Sequence, residues 1–243
     1  MTLYKIFLTA AIALEIPFVP WFLKAAWPKK CYKSLVLKMV CASLFVLAGF
    51  LCVAISGNRS DYAKFIIIGL IFGWFGDLFL HIISERVVFF LLGMFSFLIG
   101  HIFYIQAYIL EIKSITGVSS FINAYEAMAA VIILGAFIIY SIIKKMNYGA
   151  IIVPGLLYAS ALTLMLVKAT SLGILLIRIG APCAALAFAI LFIGALFFML
   201  SDITLAYIHF SGKEKNFKLK VFNIVTYFAA QVLLASSILI IGG

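Results

Sequence analysis

A chain of 243 residues that is 67% hydrophobic and 11% charged, with a mean hydropathy of +1.27, is not a water-soluble globule, since soluble domains are about half apolar and about one quarter charged. Its apolar residues form continuous runs of about 20 rather than alternating segments of about ten, which excludes an outer-membrane barrel and makes the fold class all-α, a polytopic transmembrane helix bundle. The net charge of +10 sits largely in short loops, where lysines set topology and attract anionic lipid, so membrane lipids are expected partners and nucleic acid is not.

Hydropathy predicts eight spans in one transmembrane domain over 1–243, at about 3–23, 35–55, 63–83, 87–110, 121–143, 149–168, 181–209 and 220–241. The first run lacks a basic leader and a small-residue cleavage site and carries Glu15, Pro17 and Pro20, so it reads as a span and not as a signal peptide. The run 173–209 is too long for one span, and Gly173, Arg178, Gly180 and Pro182 are expected to form a turn before the seventh. The cysteines Cys31, Cys41, Cys52 and Cys183 show neither metal spacing nor a disulfide framework.

Lysine and arginine counts orient the chain. The loops after spans one, three, five and seven hold eleven of the eighteen, the other side holds six, and Lys38 lies inside span two. The positive-inside rule places the eleven in the cytoplasm and both termini outside, with a bacterial cytoplasmic membrane as the expected location.

Two spans carry an aspartate, Asp77 in Gly69–Leu80 and Asp202 in Gly194–Tyr207, each about 9–10 Å from the cytoplasmic interface at 1.5 Å per residue. The segments align at an offset of 125, Gly69 on Gly194, Phe72 on Phe197, Asp77 on Asp202 and, in the following spans, Phe103 on Phe228 and Gln106 on Gln231. An offset of four spans makes a parallel 4+4 repeat the candidate organisation, with a site at the repeat interface.

A charge in a bilayer costs roughly 2.5–3.5 kcal/mol or more, so Asp77 and Asp202 are the leading functional residues. The structural alternative is that each is a buried acceptor tying helices together. Of two carboxyls sharing a low-dielectric site, one is expected to keep its proton while the other is ionised, as a general acid beside a general base requires. His81 lies one turn beyond Asp77, within reach of it or of headgroups. His101 lies inside span four, either packed or chemical. Pro154 with Tyr158 and Tyr227 with Gln231 are one-turn pairs that could line a site. Glu126 reads as interfacial, and Gly69, Gly73 and Gly76 as a close-packing face. No serine-hydrolase elbow, zinc-protease motif, P-loop or dinucleotide fingerprint occurs in a usable context.

Gly76-Asp77, Gly93…Gly100-His101…Tyr104, Pro154…Tyr158, Gly194-Ala195…Phe198…Ser201-Asp202…Leu205-Ala206 and Tyr227…Ala230-Gln231, in that order and spacing, resemble the YhhN family of eight-span membrane proteins, whose animal relatives are lysoplasmalogenases. The resemblance runs from about Leu35 to the end. It implies a membrane hydrolase of lipid metabolism that cleaves the vinyl ether of a lysophospholipid substrate to a fatty aldehyde and a glycerophospho-alcohol, with no metal or cofactor. Asp77 and Asp202 would then be catalytic. His81, His101, Tyr104, Pro154, Tyr158, Ser201, Tyr227 and Gln231 would bind or orient substrate, and Lys144 and Lys145 would contact phosphate. A proton- or ion-coupled transporter that uses the paired aspartates is the competing expectation.

Overall fold

The computed structural model describes residues 2–83, 86–118 and 120–241. Eight α-helices account for the described chain: α1 (Thr2–Ala25), α2 (Tyr32–Ser56), α3 (Asp61–His81), α4 (Val87–Thr116), α5 (Ala124–Ile143), α6 (Ile152–Arg178), α7 (Ala184–Phe210) and α8 (Phe217–Ser237). A single 3-10 turn, Gly149–Ile151, leads into α6. Each helix is long and apolar enough to cross a membrane, and the protein is an integral membrane protein. Only helices satisfy every backbone group within an open segment in hydrocarbon, which is why an apolar chain of this kind is helical throughout.

Local chemistry starts and stops these helices where the bilayer ends. Ser60 accepts from the Ala63 amide to begin α3, and Asn123 and Glu126 form a reciprocal capping box at the start of α5. Gly57 (φ 67°) and Gly117 (φ 71°) end α2 and α4 in the left-handed conformation that glycine adopts without penalty.

Helix α6 runs to Arg178 and does not stop near 168. Gly173, expected in a turn, lies inside it, where Phe188 of α7 packs so closely that a Cβ would fall 2.7 Å from its ring. There the glycine serves helix contact rather than chain reversal. The reversal is made by Ile179 to Cys183, with Gly180 at φ 67° and Cys183 at φ 54°.

The packing follows the sequence offset. Helix α3 packs on α4 and on α2, and α7 packs on α8 and on α6; α2 also packs on α8, as α6 does on α4. Shifting each helix by four carries these neighbours onto one another, whereas α8 also packs on α1 and α3 without such a counterpart. The core lies along this seam, where Tyr227 is enclosed by the rings of Phe45, Phe97, Phe198 and Phe228 at centroid distances of 5.0–6.3 Å. Helix α5 stands apart. It packs mainly on α6, with Tyr140 meeting Tyr207 of α7 at a centroid distance of 6.2 Å, and its buried residues are Glu126 and Ser141.

Candidate active site

Asp77 is 1% exposed. A carboxylate there needs compensation, and it receives two partners from other helices: the Lys38 ammonium of α2 at 3.0 Å from Oδ1, and the Tyr227 hydroxyl of α8, which donates to Oδ2 at 2.8 Å. Tyr227 is itself held. The Gln231 amide donates to its oxygen at 3.0 Å, and Gln231 Oε1 accepts from Tyr104 at 2.9 Å. A buried relay therefore runs from Tyr104 through Gln231 and Tyr227 to Asp77.

The glycine face of α3 makes room for this relay. A Cβ at Gly69 would lie 2.3 Å from the Tyr104 ring, one at Gly73 2.6 Å from the Gln231 amide, and one at Gly76 2.5 Å from Phe97. The small residues expected to permit close contact accommodate the very side chains that orient Asp77.

Asp202 has the equivalent arrangement on α7. Tyr158 of α6 donates to its Oδ2 at 2.5 Å, and His101 Nε2 lies 3.1 Å from the Tyr158 oxygen and 3.6 Å from Asp202. The His101 ring bridges two helix α6 side chains, its Nε2 facing the Tyr158 oxygen and its Nδ1 the Met165 sulfur at 3.2 Å. Both relays thus begin on α4, where His101 and Tyr104 are neighbours. Among the described residues, neither lysine nor arginine pairs with Asp202.

Asp202 lies where two cavities share walls, and Asp77 lines one of them. An apolar cavity of about 420 Å³ lies between α4, α5, α6 and α7, lined by Met94, Ile133, Phe137, Ala159 and Leu162, with Tyr158 and Asp202 among its few polar groups. A polar chamber of about 810 Å³ reaches the loops after α1, α3 and α7 and is lined by Lys30, Lys38, Asp77, His81, Asp202 and Lys220. Leu80, Phe90, Phe97, Asp202 and Leu205 line both. Such an arrangement suits a molecule with one apolar end and one charged end, with Asp202 at the junction and Asp77 on the charged side.

Other expected site residues fall differently. His81 lines the chamber, but its Nε2 lies 2.8 Å from Ser34 Oγ, so its hydrogen-bond partner is the α2 hydroxyl and not Asp77. Ser201 holds α7 to α8 by accepting from Asn223 Nδ2 at its carbonyl (2.8 Å) and hydroxyl (2.9 Å). Pro154 lies in the first turn of α6, where helix amides have no intrahelical partner and proline costs little; it is not a lining residue of either cavity. Lys144 lies over the Tyr140 and Tyr207 rings, outside the chamber, and Lys145 takes a left-handed turn conformation. The lysines that face the chamber are Lys29, Lys30, Lys38 and Lys220.

Glu126 is not merely interfacial. It is 4% exposed and pairs at 2.8 Å with Lys168 of α6, tying the otherwise loosely held α5 to the bundle. Sequence reasoning recognised neither this pair nor the partner of Lys38. The available signal was the location of each lysine in or at the edge of an apolar run, since a cation there requires a counter-charge.

Among the described residues no cluster of three or more histidine, cysteine, aspartate or glutamate side chains could hold a metal ion. Neither the curated proteins nor the solved structures contain a match to this chain. A family model described as the YhhN family matches residues 33–238, nearly all of the protein from the start of α2 into the end of α8. The relays to Asp77 and Asp202 are built wholly from residues within that span, and the chain belongs to the YhhN family.

Proposed function

We propose that this protein hydrolyses the vinyl ether bond of a lysoplasmalogen-type lysolipid, releasing a fatty aldehyde and a glycerophospho-alcohol. The observation that carries the reading is Asp202, which lines both an apolar cavity and a cationic chamber, with Asp77 lining that same chamber. A single-chain lipid would place its hydrocarbon between α4, α5, α6 and α7, its headgroup among the lysines and its ether oxygen beside the carboxyls.

The chemistry divides between the two acids. In this reading Asp77, paired with Lys38, serves as the base and Asp202 as the acid. Asp202 protonates the vinyl carbon β to the ether oxygen, and the remaining cation is an oxocarbenium ion. Asp77 takes a proton from water as the water oxygen bonds to the carbon that bears the ether oxygen. The resulting hemiacetal collapses: its hydroxyl proton passes to Asp202, the carbon–ether oxygen bond breaks, and that oxygen takes the proton held by Asp77 and departs as the alcohol, which restores both carboxyls. Tyr227 and Tyr158 fix the orientation of the two carboxyls, and neither is consumed.

The test is aldehyde release from a synthetic lysoplasmenyl lipid by purified protein in detergent, where no gradient exists. Turnover supports the hydrolase. Folded protein that releases no aldehyde, but moves protons or ions across a sealed vesicle membrane, would instead support transport through the paired aspartates.

A further inference from the structure

The chamber holds more positive charge than the chemistry at the carboxyls requires. Lys29, Lys30, Lys38, Arg86 and Lys220 line it with Asp77, Asp202 and Glu214, and Lys38 is engaged with Asp77. Two of the ammonium groups are anchored on main-chain carbonyls. Lys30 Nζ donates to the Leu80 carbonyl at 2.7 Å, in the last turn of α3, and Lys220 Nζ donates to the Ala26 carbonyl at 2.6 Å, just past the end of α1. An ammonium has three protons, so each of these lysines keeps donors for a ligand while its position is fixed by a helix end.

We propose that Lys30 and Lys220 form the seat for the phosphate of a lipid headgroup in this chamber. The proposal rests on the lysolipid reading above and adds the group that recognises the polar end. A phosphate supplies several acceptor oxygens to two fixed ammonium groups, and charge-assisted bonds of this kind are the strong ones. It also places negative charge between like-charged neighbours.

The electrostatics of Lys30 agree with a site for an anion. Desolvation by the surrounding protein, together with the Lys38 and Lys220 charges, brings its ammonium down from 10.5 to about 8, with Glu214 opposing. His81, Arg86 and His209 also line the chamber. A bound phosphate favours protonated Lys30, so affinity for the headgroup is full below pH 8 and declines as the pH rises past it.

The experiment uses binding, so that it is independent of cleavage. The full-length protein in detergent is titrated with a saturated ether lysophosphocholine, which has no vinyl bond to cleave, with the same alkyl chain on glycerol lacking phosphate, and with inorganic phosphate alone. The phospholipid should bind roughly tenfold more tightly than the alkylglycerol, a difference that the combined Lys30→Gln and Lys220→Gln variant abolishes while its alkylglycerol affinity is retained. Lys30→Arg with Lys220→Arg keeps the charges and should keep most of the difference, which excludes misfolding as the cause. A headgroup preference that survives both glutamines overturns the seat. So does inorganic phosphate binding as tightly as the lipid, since the occupant would then be a soluble anion. Tight binding of the saturated lipid without turnover of the vinyl lipid would uphold the seat and refute the hydrolase.

Discussion

Lys38 of α2 and Asp77 of α3 form an ion pair at 3.0 Å in the interior of the bundle, where the lysine is 6% and the aspartate 1% exposed. A buried charge left without its partner is strongly destabilising, so the two groups depend on each other. Removing the ammonium by Lys38→Met should destabilise the protein by about 3–5 kcal/mol and strongly reduce turnover. Combining it with Asp77→Asn removes both charges, and the double variant should recover much of the stability in thermal unfolding yet remain inactive.

Tyr227→Phe and Tyr158→Phe each delete one donor to a carboxyl without altering ring packing. Each should lower turnover by roughly 10- to 100-fold, the equivalent of a lost bond to a charged group of about 1.5–3 kcal/mol. The effect should appear in kcat more than in KM if, as proposed, these hydroxyls act by orienting the carboxyls. Steady-state kinetics on the two variants provide the check.

At Gly69 the added methyl of alanine would meet the Tyr104 ring, which has nowhere to retreat because Tyr104 is 1% exposed. Gly69→Ala should cost about 1–3 kcal/mol by overpacking and disturb the relay that ends at Asp77. Gly135 of α5 has open space about its Cβ position, and Gly135→Ala should leave both melting temperature and turnover unchanged.

Eight helices, the two acidic ones and the glycine face of α3 were legible in the sequence because each follows from a local property. Apolar run length sets the span, a carboxylate in such a run marks a site, and glycine spacing marks a contact face. Partners were not legible. Tyr227 was one turn from Gln231, so the two could be placed on one face, but nothing local says that Tyr104 of α4 reaches the same amide. The ion pairs Lys38–Asp77 and Glu126–Lys168 join residues 39 and 42 positions apart, and only the tertiary packing shows which carboxylate each lysine meets. Pro154 illustrates the opposite error, a residue prominent in the pattern that starts a helix and does not line the site.

The Glu126–Lys168 pair is buried and lies apart from both cavities, so its role should be structural. Lys168→Met alone should destabilise by about 3–5 kcal/mol, and the further change Glu126→Leu should restore most of that loss. Turnover per folded molecule should be unaffected by the double variant, as measured by activity normalised to the folded fraction.

The most direct test of proton transfer to carbon by this carboxyl pair is hydrolysis of a lysoplasmenyl lipid in heavy water, with the aldehyde analysed by mass spectrometry. Wild-type protein should give an aldehyde carrying a single solvent deuterium on the carbon next to the carbonyl, while Asp77→Asn and Asp202→Asn lose roughly 10²- to 10⁴-fold in rate. Aldehyde without that deuterium, or full activity in either variant, would contradict the account.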